Sequence, residues 1–260
     1  MNFMAYAKRY CNATKEQFGW DMSGSSNLEE LQLELRKSFM IRRMKANVLT
    51  ELPPKRRQII ELDASKYQDL IDQEDTYLMV NGIDIKQSKE EKIFNNKYDE
   101  KVDGMKGYTA MHIAEMARLR KATAVAKIDD VVKHIVDSLE SVDKIIVFAH
   151  HREVVEGITD ALIAINGDPK KKIECEPVKL YGGMTQEAKD ESVERFQNDD
   201  RIKVFVGSIM AAGVGLTLTA ASLVVFAELD WVPANLTQAE DRAHRIGQTD
   251  SVMVQHLVIE

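Results

Sequence analysis

No apolar run in the sequence approaches the roughly 20 residues needed to cross a bilayer, and the N-terminus lacks a signal-peptide h-region. A spanning helix and a secretory leader are therefore not indicated. The two cysteines, Cys11 and Cys175, lie far apart without a Cys-x-x-Cys partner, so neither a disulfide framework nor a zinc site is expected. A reducing, intracellular compartment is the default. Histidine is scarce: the six include His150-His151 but no His-Glu-x-x-His spacing, and no metal centre is expected. Also missing are a Gly-Lys-Ser/Thr phosphate loop and an Asp-Glu-x-His box.

What is present is the composition of an ordinary globular protein. The 260 residues are 44% hydrophobic and 30% charged, enough for one large domain or two small ones. The formal net charge of −7 alone argues against a nucleic-acid partner, but phosphate contacts need only a local basic face. Such an excess runs from Arg36 to Arg57, where Arg36, Lys37, Arg42, Arg43, Lys45, Lys55, Arg56 and Arg57 face a single acid, Glu51. A solvated helical face explains the same run, and charge does not decide between them.

The pattern changes along the chain. Gly24-Ser25-Ser26-Asn27 offers a cap for a helix beginning near Leu28, with Leu28, Leu31, Leu35 and Phe39 at helical spacing. Pro53-Pro54 stops any helix, and Arg57–Leu62 reads as a short extended segment. From about Ala64 to Thr123 a polar helical pattern indicates an exposed insertion, with loop expected near Asn81-Gly82 and Asp103-Gly104. Beyond Lys127, Ile128, Val131, Val132, Ile135, Val136 and Leu139 form one amphipathic stripe. Five strand candidates follow, at Lys144–Ala149, Pro177–Leu180, Ile202–Val206, Leu223–Ala227 and Val252–Val258. Helices are expected between the first two, on Val154, Val155, Ile158 and Leu162, and between the second and third, from about Thr185 to Gln197. Near-continuous β-branched runs alternating with helices predict a parallel sheet covered on both faces, with ligands gathering beyond the carboxyl ends of its strands.

Three loops occupy that position. Tyr181-Gly182-Gly183-Met184-Thr185 could bring backbone N–H groups and a helix N-terminus to an anion, or be a plain tight turn. The small residues of Gly207–Ala221 allow close packing against a ligand or another domain, although the glycines match no dinucleotide fingerprint. In the third, a helix over Ala234–Ile246 would put Gln238, Arg242 and Arg245 on one face. Two adjacent guanidiniums repel unless an anion lies near them; Glu240 and Asp241 pairing with these arginines is the plainer alternative.

QAEDRAHRIGQ resembles motif VI of Swi/Snf-type ATPases in helicase superfamily two, and the resemblance extends over most of the chain. GSIMAAGVGLTLTAAS is similar to motif V, ELDWVP to the segment between motifs V and VI, LYGGMTQEAKDESVERFQ to the motif after motif IV, and IIVFAHH to motif IV itself. Upstream, MIRRMKANVLTELPPKRRQIIEL resembles the linker between the two motor lobes. The wording of FGWDMSGSSNLEEL, VVFAELDW and QAEDRAHRIGQT is most similar to HARP-like annealing helicases.

The resemblance implies an α/β RecA-like lobe, its parallel sheet flanked by helices, with an N-terminal helical linker and a helical insertion. Residues 1–62 become the end of the first-lobe region and the linker, 63–125 the insertion, and 126–260 the C-terminal lobe without its brace. It also implies ATP and Mg²⁺ held mainly by a first lobe outside this sequence, which would make the chain a shortened piece or one half of a split motor. Arg245 is then the arginine finger, Arg242 its γ-phosphate partner, and Gln238 a positioner of the γ-phosphate or its water. Gly213 and Gly215 would lie between nucleotide and DNA, and Gly183, Thr185 and Ser208 would touch the DNA backbone. Arg42, Arg43 and Lys45 belong to the linker, where packing and acid pairing compete with DNA contact. The implied partners are double-stranded or forked DNA and the N-terminal RecA-like lobe, with no membrane. The implied location is the cytoplasm or nucleoid of a prokaryote or phage, or the nucleus of a eukaryote. Two other classes compete with this motor: a non-catalytic module that clamps DNA or protein, and a different enzyme on a doubly wound sheet, for which no nucleophile constellation is present.

Overall fold

The computed structural model describes residues 2–16, 19–41, 43, 45–80, 106–167, 175–212 and 215–259. Asn81-Gly82, Asp103-Gly104, Arg42 and Gly213 lie outside the described residues. The chain divides at Glu51 into two units.

The unit Met1–Glu51 holds α1 (Phe3–Tyr10), a hairpin of β1 (Thr14–Glu16) and β2 (Gly19–Asp21), α2 (Leu28–Ser38) and α3 (Lys45–Val48). Glu30 on α2 accepts from both Arg9 Nε (2.9 Å) and Tyr10 Oη (2.9 Å), which joins α2 to α1. The expected cap on α2 is absent. Asn27 occupies the N-cap position with φ 48° and makes no capping bond, because its amide and the Ser26 hydroxyl both donate to the Arg9 carbonyl.

In the unit Leu52–Glu260, β3 (Lys55–Leu62), β4 (Ile145–Ala149), β5 (Glu176–Leu180), β6 (Ile202–Ser208), β7 (Leu223–Phe226) and β8 (Val252–Ile259) form one sheet in the order β3-β8-β7-β4-β6-β5. Every pairing is parallel. The segment read as short and extended is thus the edge strand, paired along its whole length from Lys55↔Val252 to Leu62↔Ile259. Pro53 and Pro54 lack N–H donors, but the Pro54 carbonyl accepts from Val252 N, the position at which proline suits a strand.

Helices cover both faces. The alternation of side chains sends Ile145, Val147, Ala149, Val204, Val206 and Val225 to one face, against α6 (Ile128–Ser138) and α7 (Arg152–Asn166). Ile146, Phe148, Ile202, Phe205, Val224 and Phe226 point to the other, against α8 (Gln186–Asn198), α9 (Ile209–Ala212) and α10 (Pro233–Ala243). This is the parallel sheet covered on both faces that the pattern of runs predicts, and the RecA-like lobe that the resemblance implies. The stripe from Ile128 buries Val131, Val132 and Ile135 on the sheet. Before it, a 3₁₀ turn (Ala64–Tyr67) leads to α4 (Gln68–Val80), and α5 (Lys106–Ala126) returns to the lobe. Tyr67 Oη donates to Asp130 at 2.6 Å and Lys66 pairs with the same carboxylate at 2.6 Å, so the 3₁₀ turn is fixed to α6. None of the described helices is long and apolar enough to cross a membrane.

Helix α8 shows how little holds a peripheral element. Its one fully buried side chain is Phe196, whose ring lies 5.4 Å from that of Phe205. Lys144 Nζ caps the same end by donating to the Phe196 and Asp199 carbonyls at 2.6 and 2.9 Å. Phe196→Ala is expected to cost about 3–5 kcal/mol and to loosen α8 before the rest of the sheet. Denaturant unfolding gives the first quantity, and hydrogen exchange of α8 against β4 gives the second.

Candidate functional site

Motif-bearing loops gather at the carboxyl ends of the strands. After β5, Gly183 is exposed with φ +93°, a left-handed conformation that costs glycine nothing. It hands the chain to Thr185, whose hydroxyl accepts from Ala188 N (3.3 Å) and caps α8. Gly183 and Thr185 therefore present an exposed helix N-terminus. Ser208, expected beside them on DNA, is buried instead, and its hydroxyl accepts from Ala211 N (3.3 Å).

The loop after α9 runs alongside the end of α10, and the two are joined by a dense set of bonds. Leu218 N donates to the Arg242 carbonyl (3.0 Å), and Arg245 Nη1 reaches Leu216 O and Thr217 Oγ1, each at 3.3 Å. Buried Gln248 aims its amide nitrogen at three carbonyls: Ala221 (2.9 Å), Thr219 (3.3 Å) and Ala243 (3.4 Å). From α8, Gln197 bonds Ala220 N (2.9 Å) and Thr219 Oγ1 (3.3 Å). Gly215, at φ +72°, is exposed at the mouth of this loop.

Helix α10 ends at Ala243, three residues short of the expected Ile246. His244 leaves the helical region (φ −87°, ψ 76°), and its Nε2 bonds the Pro53 carbonyl at 2.7 Å. A carbonyl only accepts, so the ring proton is on Nε2. Gln238 and Arg242 still share one face of the helix; Arg245 follows the break and turns back to the loop. Gln238 and Arg245 are exposed, and Arg242 is half-buried. Burial holds the Arg242 guanidinium below its ordinary pKa; the charge of nearby Arg245 pushes the same way and Asp241 opposes. Two cations that disfavour each other suit a multiply charged anion, and guanidinium geometry suits phosphate oxygens.

The acids beside the arginines have other partners. Glu240, with a side chain only 1% exposed, pairs with Lys55 Nζ (2.8 Å) and with both Nε and Nη2 of Arg57 (2.8 and 2.7 Å). Asp241 takes Lys55 at 3.0 Å. Of the basic run, Lys55 and Arg57 are thus committed within the lobe.

On the other face of the sheet a cavity of about 230 Å³ is lined by residues that include Arg120, Lys127, His150, His151, Glu228 and Trp231. Glu228 Oε2 accepts the backbone N–H groups of His150 (2.8 Å) and His151 (2.9 Å), and Oε1 lies 2.6 Å from His151 Nδ1. The Arg120 guanidinium stacks 3.8 Å from the Trp231 ring. Lys127 donates to the Leu257 carbonyl (2.9 Å); desolvation lowers its pKa to about 8, against the opposing charge of Glu228. The sequence carries no signal for this cluster, since the residues named come from three separate segments.

The helicase conserved C-terminal domain family matches residues 126–247. The SWI/SNF-related matrix-associated actin-dependent regulator of chromatin subfamily A-like protein 1 of Drosophila melanogaster is 34% identical over 258 residues, which span 99% of this chain and 30% of that protein. DNA annealing helicase and endonuclease ZRANB3 of Bos taurus is 38% identical, over 97% of this chain and 22% of its own length. The chain therefore spans less than a third of either relative. The Sulfolobus solfataricus SWI2/SNF2 ATPase core in complex with dsDNA shares the fold at a TM-score of 0.50 and 24% identity, covering 90% of this chain and 47% of that one.

Two consequences can be measured. Gln248→Ala leaves three carbonyls without their donor and is expected to lower stability by about 1–3 kcal/mol, with faster hydrogen exchange at residues 216–221. For Lys127 the folded pKa lies below the unfolded value, so between about pH 8 and 10.5 the unfolded chain binds the extra proton. Its contribution to stability accordingly rises with pH across that window and is flat below it. Denaturant midpoints at pH 7.5 and 10 should show that increment, at most about 3 kcal/mol, in the native chain and not in Lys127→Met.

Proposed function

The chain carries the C-terminal helicase lobe of SWI/SNF-type helicase-like proteins, and from that premise we propose that it is the second motor lobe of an ATP-dependent DNA translocase or helicase. The observation that carries this reading is the seam between the loop 215–221 and residues 242–248, where Arg242 and Arg245 lie close together and Arg245 touches the loop at Leu216 and Thr217.

In this reading ATP with Mg²⁺ is held chiefly by a first motor lobe. Arg245 is the arginine finger; it is exposed and always charged, and its fork of donors can follow phosphoryl oxygens as their charge redistributes. Arg242 is its γ-phosphate partner, preorganised by burial and by the Leu218 bond to its carbonyl. Gln238, on the same face of α10, orients the γ-phosphate or the attacking water. Such electrostatic help is strongest in a closed, water-poor cleft and is worth roughly 10³–10⁵ in rate. The chain by itself turns over no ATP, because it carries no phosphate-cradling loop and no water-activating acid.

DNA is the partner on the loops after β5 and α9. Gly183 and Thr185 offer backbone N–H groups at the start of α8 to a phosphate, a contact that positions the protein without reading sequence. Ser208 supports the turn behind them. Gly215 belongs to a loop that adjoins the arginines; in this reading it and Gly213 act between nucleotide and DNA, so nucleotide-driven closure can shift the hold on DNA. Similarity to DNA annealing helicase and endonuclease ZRANB3 supports DNA as the substrate class, as does the SWI2/SNF2 core in complex with dsDNA.

The test supplies a first motor lobe and measures DNA-stimulated ATP hydrolysis. Arg245→Ala is expected to lower kcat by roughly 10³-fold or more while DNA affinity stays within about two-fold. Full turnover by that variant would remove the finger from Arg245.

A further inference from the structure

We propose that Glu240 is a positioning residue for Arg242 and Arg245, and that Lys55 and Arg57 hold it, making β3 the anchor of the arginine-bearing end of α10. The inference rests on the role given to the two arginines above.

Four residue pairs join residues 53–57 to residues 240–244. Glu240 receives Lys55 and both arms of Arg57, Asp241 receives Lys55 a second time, and His244 Nε2 donates to the Pro53 carbonyl. They run over about one helical turn, from Glu240, two residues before Arg242, to His244, the residue before Arg245. The partners are about 183 to 191 positions apart in the chain, so the contacts do not arise from local geometry.

The strength of the hold follows from burial. An ionised carboxylate that is 1% exposed needs its charge and its lone pairs satisfied, and two cations with three N–H···O contacts do so. Sliding or rotating α10 by one residue would strand that charge, whereas a solvent-exposed pair could re-form elsewhere. His256, the other titratable group facing Glu240, lies 3.9 Å away. The cations also stand at the carboxyl end of α10, where the helix dipole favours positive charge. The opposite side of the seam is fixed by Gln248 on Ala243. Residues 242–245 are therefore gripped from residues 53–57 on one side and from the loop 216–221 on the other.

Two measurements separate this inference from the arginine assignment. In the chain itself, Glu240→Gln and Arg57→Met are each expected to speed hydrogen exchange at residues 244–248 by about ten-fold, with β4 and β6 unchanged. In the motor completed with a first lobe, each is expected to lower kcat about ten-fold with KM for ATP within two-fold, because a misplaced finger loses rate and not ground-state binding. Combining them should cost no more than the worse single change, and Arg57→Lys should recover most of the rate. Unchanged exchange at 244–248, or unchanged kcat, overturns the proposal; so does a raised KM with kcat intact. Should Glu240→Gln fail to fold, Arg57→Met carries the test alone, since that side chain is about half exposed. If Arg245→Ala keeps full turnover, the arginine assignment fails, and the exchange experiment still decides whether the clamp orders the end of α10.

Discussion

A parallel sheet covered on both faces leaves little room for polar side chains along its middle strands. Every residue of β4 and β7 is buried, and β6 is buried except at Lys203. Chemistry is thereby pushed to the carboxyl ends of the strands, where the chain leaves the sheet and backbone groups need partners. The loops after β5, α9 and β7 are the outcome. What lies in them is polar, glycine-rich or charged, whereas β4 and β7 between them are wholly apolar.

Two buried carboxylates manage that boundary in different ways. Glu228 is satisfied by two backbone N–H groups and the His151 ring, so it joins the ends of β4 and β7 with short-range bonds. Glu240 is satisfied by cations from the sheet edge. Burial alone would raise its pKa, but the bonds from Arg57 and Lys55 outweigh burial and the net direction is down. The first device welds neighbouring loops; the second ties an edge strand to a helix carrying the candidate machinery. Both satisfy a buried carboxyl group that could not persist there without partners.

Much of this architecture was legible in the residues. The runs Ile145–Ala149, Ile202–Val206 and Leu223–Phe226 are too apolar and β-branched for anything but buried strands, and the stripe from Ile128 fits one helix face. Thr185 reads as a cap and is one. Other features were beyond local pattern. The extended residues after Pro54 gave no hint of their partner strand, because Val252–Ile259 lies almost two hundred positions away. The end of α10 falls at Ala243 because His244 and Gln248 find carbonyls on distant segments, a choice that helical spacing cannot register. Asn27 looks like a cap in isolation, yet its amide bonds to Arg9 on a neighbouring helix. In each case tertiary hydrogen bonds override a local preference worth about 1 kcal/mol.

The edge strand has one more consequence. Along its outer side β3 has no strand partner among the described residues, and such a row of open amides and carbonyls invites another chain to add itself. Its first three residues are Lys55, Arg56 and Arg57, all cationic, and the two prolines before them cannot donate. Lys55 and Arg57 are turned to Glu240 and Asp241, so exposed Arg56 and the two prolines are the features at the root of the strand that disfavour the addition of another strand there.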